Sequence, residues 1–467
     1  MALSGADGVM TATLSRTTNH ILFGNPGNKR TAGWQQALSH HGRAAALEVP
    51  YVRLLHAIRA QESLPEVMEG MSSRQQVVLT DEQQPLLLRL DAPGDDFAVE
   101  RGLIALGAED AEGWSNDELV PLHRLTEGHS ITAAEARTLP PQHGRIFYPA
   151  QWFRGYCRLL SWLQRQVNLY VPQARWLNTP ADVALMFDKR ACSQHLATAG
   201  VAVPPMLSAL DQPEWRNLQQ TNDPLYAEKL RQSLHTANPT SFIAGDEHLG
   251  ITGYEHLHRM MKQQYARRVF IKLFCGSAAS GVIAYQYQPH TGAEIAMTTI
   301  GMEQVHGEYV FYNSGRLIRY TQQDDIRRIV DWLAIEGIHV ERWVSKDMMS
   351  GKAYDVRQLV CREGAGHAVA RLSRTPITNL HLRNERMLLE DCQLPPETVK
   401  GISAVAMQAL SCFKGSFCAG MDVLVPQHGG HPLIMDVNPF GDLLYHVRHH
   451  GLSPYEWELD CLLRLEQ

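Results

Sequence analysis

Three polar residues, Asp422, Asp436 and Asn438, interrupt the apolar runs GMDVLV (420–425) and PLIMDVN (432–438). The runs are joined by PQHGGHP, and its Gly429–Gly430 pair is a turn signal. A hairpin centred near Gly429 sets Asp422 opposite Asp436, with Asn438 one step along the same face. Strand alternation puts Ile434 on that face as well. Two carboxylates directly across a ladder repel each other unless a cation sits between them. Three hard oxygens suit Mg2+, which completes its octahedron with water and phosphates. The competing expectation is a solvent-facing strand side with unrelated polar groups, and spacing alone leaves the two about equal. The apolar neighbours and the abrupt stop at Pro439 favour the cation.

A second group lies in RRVFIKLFCGSAASGVIAY (267–285). A strand carries Lys272, and the loop Gly276-Ser277-Ala278-Ala279-Ser280-Gly281 follows. Backbone N–H groups and hydroxyls of such a loop can approach phosphate oxygens closely, while the lysine neutralises one of them. A plain flexible hairpin with a solvated lysine would look the same. GNPGNKRT (24–31) follows a strand and opens a helix, as a phosphate loop does. A Walker A motif needs Gly before the Lys and Ser or Thr after it; here Asn28 and Arg30 flank Lys29, which argues against nucleotide binding there. HVRHHG (446–451) reads as a solvated face in a chain with 22 histidines. Cys275 reads as a small buried hydrophobe, with no paired His.

The elements that must position these groups fall into two patterns. Strand, Gly-rich turn and helix alternate over HILFGNPGNKRTAGWQQALSHHG (20–42) and LLLRLDAPGDDFAVERGLIALGA (86–108), with Asp95 or Asp96 placed as a helix cap. That alternation predicts βαβ units and a parallel sheet at about 18–110. Ligands gather at strand C-termini in such sheets, so the loops 24–31 and 90–96 are candidate substrate-facing segments, with ordinary βα turns as the alternative. Residues 111–180 read as a partly helical connector, with a helix at about 150–168. From 188 onward, strands at 267–274, 281–287, 338–344, 353–360, 366–373, 420–425 and 432–438 predict a largely antiparallel α+β region.

The chain is too long, at 467 residues, for one core. Hydrophobic content of 44% with 20% charged residues is that of a soluble globular protein. A net charge of −6 without a basic run argues against nucleic-acid partners. No apolar stretch approaches the roughly 18 residues of a membrane span, and the N-terminus lacks the pattern of a signal peptide. Eight scattered cysteines without CxxC pairs read as reduced thiols, so the expected compartment is the cytoplasm.

Taken in order, these segments resemble the ATP-grasp superfamily over roughly 180–445. DKRACSQHLATAGVAVPP (188–205) is similar to the family's opening segment, with Lys189 at the phosphate-contacting lysine. FIKLFCGSAASGV is similar to its second lysine strand and phosphate loop, which assigns Lys272, Gly276, Ser277, Ser280 and Gly281 to the nucleotide. VERWV resembles the strand whose backbone grips adenine, with Glu341 near the amino edge. DVRQLV and AVARLSRTPITNLHLRN resemble the D-x-R…R…N-L series of the ribosomal-modification and peptide-ligase branch, which gives Arg357, Arg371 and Asn379 the catalytic roles. MDVLV…LIMDVNPFGD matches the metal hairpin, with Asp422, Asp436 and Asn438 as ligands.

The resemblance implies a fold, α/β and then α+β: a Rossmann-like pre-ATP-grasp domain (18–110), the connector (111–180), and a two-lobed ATP-grasp domain with lobes at 181–337 and 338–467. It implies ATP with Mg2+ (Mn2+ as a substitute), and a ligase that activates a carboxylate as acyl phosphate for attack by an amine or similar nucleophile. Homodimers are common in the family. The alternatives are a phosphotransferase on the same fold and a nucleotide-binding protein without turnover. The sequence departs from the family pattern at Asp436, usually Glu, at Gly420, often Arg, and at Arg383, commonly Gly; no clear acid follows the hinge for the ribose hydroxyls.

Overall fold

The computed structural model describes residues 19–69, 71, 86–112, 126, 128–207, 250–276, 280–378, 384–427 and 429–465. Its first unit is a four-stranded sheet of β1 (His20–Gly24), β2 (Leu47–Pro50), β3 (Leu87–Leu90) and β4 (Arg175–Trp176), all parallel, in the order β2-β1-β3-β4. Helices α1 (Lys29–His40), α2 (Tyr51–Ala60), α3 (Leu64–Glu69), α4 (Phe97–Leu106), α5 (Ala133–Thr138) and α6 (Pro149–Tyr170) accompany it. Every residue of β1 is buried, as expected for a parallel strand covered on both faces. Asp96, and not Asp95, caps α4 by accepting from Ala98 and Val99 N–H. The stretch expected to be a connector belongs to this unit. Its helix α6 shares the core of β1 and β3, and β4 extends the sheet. A fourth strand of only two residues carries no alternation that a sequence pattern can show.

Helices α7 (Pro180–Phe187) and α8 (Lys189–Thr198) follow, separated at Asp188, whose carboxylate caps α8 through Arg190 and Ala191 N–H. Next comes an antiparallel sheet of β5 (Arg268–Leu273), β6 (Val282–Tyr287), β7 (Glu294–Val305), β8 (Glu308–Tyr320) and β9 (Ile338–Arg342), ordered β8-β7-β6-β5-β9. Helices α9 (Tyr254–Gln263) and α10 (Gln323–Glu336) cover it. β9 therefore pairs with β5 in this sheet, although the lobe boundary expected at 338 would have placed it in the next.

The remaining sheet holds β10 (Met348–Met349), β11 (Lys352–Cys361), β12 (Gly364–Ser373), β13 (Glu385–Leu388), β14 (Cys418–Leu424) and β15 (Leu433–Asn438) in the order β13-β12-β11-β14-β15, with β10 beside β11. Tyr354, Val356, Ala370, Met421 and Val423 put one face into a core with α11 (Pro396–Ser411). Alternation sends Asp355, Arg357, Arg371 and Asp422 to the other face. The last helix, α12 (Pro454–Leu465), returns to the first unit. Tyr455 packs edge-on against Trp34, and Glu458 accepts from Arg89 at 3.0 Å.

Candidate active site between two sheets

The hairpin β14–β15 pairs Asp422 with Asp436 and Gly420 with Asn438. A β-bulge follows: Val423 pairs with Ile434, so Met435 is the extra residue. This changes one expectation. Ile434 does not share a face with Asp436, because the bulge puts it in phase with Val437, and both lie in the core. The bulge thus keeps the apolar side chains inside while Asp436 and Asn438 stay on the charged face.

Across that face, charges alternate in a continuous row. Lys346 Nζ lies 2.8 Å from Asp355 Oδ2, whose other oxygen takes Arg371 Nε at 2.7 Å. Arg371 Nη2 reaches Asp422 Oδ2 at 3.2 Å, and Arg357 Nη1 reaches Asp422 Oδ1 at 2.5 Å. Arg357 Nε then lies 2.6 Å from Asp442 Oδ2, off the N–H axis, so that oxygen has no directed hydrogen bond. Strand register accounts for the row: Arg371 is opposite Asp355, and Arg357 is opposite Asp422. Cations that neutralise neighbouring acids make such burial tolerable.

Two lysines arrive from elsewhere. Lys189 opens α8; its backbone N–H donates to Phe274 O at the end of β5, at 2.8 Å, while its ammonium holds both Asp436 oxygens at 2.8 and 3.0 Å. It therefore joins the five-stranded sheet to the β14–β15 hairpin. Burial works to raise the Asp436 carboxyl, but Lys189, Lys272 and Arg357 prevail and hold it below the usual range. Burial likewise works against the Lys189 ammonium, and Asp436 raises it on balance. Lys272 on β5 lies 2.7 Å from Glu341 Oε1 and donates to Met435 O at 3.4 Å. Glu341 is buried; desolvation opposes its charge, yet Lys272 and His339 pull its pKa to about 2.

The Glu341 carboxylate thus turns inward to Lys272. On the free edge of its strand, Leu207 N–H donates to Val340 O and Arg342 N–H to Pro205 O, both at 2.8 Å. Gly276, Ser280 and Gly281 flank the turn after β5, where Leu273 N–H donates to Gly281 O. Ser277 and Asn379 lie outside the described residues. Cys275 is buried and donates to Pro149 O.

Four contributors escaped the sequence reading of the site. Lys346 sits on a connection with no periodicity, Thr378 accepts from it at 2.5 Å, and His339 reads as one more strand residue. Asp442 had a signal, an acid directly after the NPFG turn. A Cβ at Gly420 would lie 3.3 Å from Asp442 Oδ2, and Arg357 lies on the adjacent strand opposite Asp422. Arg30, from the GNPGNKRT loop, donates to Phe440 O at 3.0 Å, so this loop meets the exit of the hairpin.

As a metal site, the hairpin offers two carboxylates and an amide. Asn438 Nδ2 donates to Gly420 O at 3.2 Å, which leaves Oδ1 as its acceptor end. This hard-oxygen set fits Mg2+. Among the described residues, no three His, Cys, Asp or Glu gather as a metal cluster, and no helix is long and apolar enough to cross a membrane.

No family model matches this sequence, and no curated protein matches it. Solved structures that match include the ATP-grasp ligase PsnB complexed with a phosphomimetic variant of a minimal precursor, Mg and ADP (12% identity, 96% of this chain and 99% of that one, TM-score 0.43). D-cycloserine synthetase DcsG matches at 12% identity over 95% and 99%, TM-score 0.42. The macrocyclase MdnC bound with precursor peptide MdnA, from Microcystis aeruginosa MRC, matches at 12% over 95% and 99%, TM-score 0.41. At such values the chemistry must be argued from this chain's own residues. In its mixed α/β layout the chain is similar to ATP-grasp ligases.

Proposed function

We propose that this chain is an ATP-dependent, Mg2+-requiring ligase that converts a carboxylate to its acyl phosphate and passes the acyl group to an amine or similar nucleophile. One observation carries the reading: Lys189 bridges the two sheets and meets, at Asp436, a hairpin of hard oxygens beside Lys272 and two arginines. Phosphates entering this cleft would take over Lys189 and Lys272, freeing Asp436 for Mg2+, with Asp422 and Asn438 completing the protein's share of the ligands. Bound Mg2+ would supply polarisation of the γ-phosphoryl group. Arg357 and Arg371, held by Asp422 and Asp355, would offset charge on an acyl phosphate. The carboxylate oxygen attacks the γ-phosphorus and ADP leaves; the nucleophile then attacks the acyl carbon, and phosphate leaves with loss of a proton.

Incubation with Mg2+, ATP, hydroxylamine and a panel of carboxylic acids tests this. A ligase forms ADP and a hydroxamate with its true acid, whereas a phosphotransferase forms ADP alone with its acceptor. The Lys272–Glu341 pair favours a second reading, nucleotide binding without turnover, since it holds that lysine on protein. Mg2+–ATP binding with no ADP from any acid would support it over catalysis.

A further inference from the structure

Away from the cleft, three cysteines meet. Cys361 ends β11, Cys418 faces it at the start of β14, and Cys461 comes from α12. All three lie in one buried cluster with Leu359, Val369 and Trp457. Sequence gives no hint of this, because 361, 418 and 461 are far apart along the chain. Within this cluster the Cys361 and Cys461 side chains interact. Arg464, one helical turn on, donates to the Cys461 sulfur at 3.1 Å, with its own side chain 53% exposed. A guanidinium donating to a sulfur stabilises its thiolate, and the Cys461 pKa is lowered, by the Cys361 interaction first and by Arg464 as well, against the opposing effect of burial. The neighbouring Cys418 thiol, by contrast, is pushed up by burial. One sulfur of the cluster is thus set apart as a nucleophile, with a second in contact to receive it.

We propose that Cys361 and Cys461 form a reversible disulfide when the protein meets a peroxide, with Cys461 attacking and Cys361 resolving. The Cys461 thiolate takes one oxygen from hydrogen peroxide, giving a sulfenic acid and releasing hydroxide. The Cys361 thiol then attacks that sulfur; the S–O bond breaks and water leaves as the S–S bond forms. A dithiol returns both to the reduced state. The bond ties α12 to β11, the strand that carries Asp355 and Arg357. Since α12 also holds the first unit through Glu458 and Tyr455, oxidation would fasten that unit to the charged sheet.

The test treats the intact chain with hydrogen peroxide, blocks remaining thiols in denaturant, and maps the peptides by mass spectrometry. A Cys361–Cys461 cross-link that dithiothreitol removes is expected. Arg464→Gln, at a half-exposed position that leaves the core intact, should slow its formation several-fold. Cys361→Ser should stop the reaction at a Cys461 sulfenic acid that dimedone traps. A cross-link between Cys361 and Cys418, oxidation confined to the partly exposed Cys392 and Cys412, or an unchanged rate in Arg464→Gln would overturn the proposal. None of these readouts depends on ATP or on the ligase reading.

Discussion

Replacing Lys189 by methionine keeps most of the apolar stem and removes the ammonium that Asp436 holds through both oxygens. Breaking a fully buried pair costs about 3–5 kcal/mol, and an exposed one rarely reaches about 1 kcal/mol. These side chains are 12% and 27% exposed, and Lys272 and Arg357 still act on Asp436, so the expected loss is about 2 kcal/mol. The pH window follows from the two shifts. Asp436 is depressed when folded, so its contribution is complete above the unfolded value of about 3.9 and fades as pH falls through the lower folded value. Lys189 is raised, so its contribution is complete below about 10.4 and fades as pH climbs through the folded value. A urea-unfolding cycle of Lys189→Met, Asp436→Asn and the double variant should therefore give a coupling that is flat from about pH 5 to pH 9 and shrinks in stronger base. Mg2+–ATP affinity of Lys189→Met should drop about ten- to a hundredfold, the worth of one charge-assisted hydrogen bond to phosphate. Purely additive effects, or a coupling that changes between pH 5 and pH 9, would refute the reasoning.

Other perturbations probe the site and its frame. Asp422→Asn strips Arg357 and Arg371 of their shared carboxylate as well as one candidate ligand; ADP formation should fall at least about a hundredfold and need more Mg2+, as a titration of rate against Mg2+ would show. Gly441→Ala brings a Cβ to 2.2 Å from Glu458 Oε1 at a φ of +64°, and a fall in the thermal midpoint equivalent to about 2–3 kcal/mol is expected. Burial, above all, pushes His20 and His367 down to about 4. Unfolded histidine titrates near about 6.5, so the unfolded chain binds more protons between those values, and stability should decline as pH drops through that range. His367→Gln should flatten part of that decline in unfolding curves taken from pH 7 to pH 4.5.

Local pattern carried much of this molecule. The Gly429–Gly430 turn was enough to set Asp422 against Asp436, because a hairpin's register follows from its turn and from which faces are apolar. The strands bearing Lys272, Arg357 and Arg371, the cap at Asp96, and helix α6 all lie where alternation, 3.6-residue periodicity or capping chemistry puts them. Tertiary contacts alone decided the rest. The bulge at Met435 exists because Ile434 and Val437 must both reach one core, which strict alternation forbids. Lys346, Asp442 and the inward turn of Glu341 are answers to charges brought from distant strands. The return of α12 to α1, and with it the meeting of Cys361 and Cys461, depends on burying surfaces that no short window of sequence contains. Periodicity reports which side of an element is apolar; what lies opposite that side is settled only when the whole chain has packed.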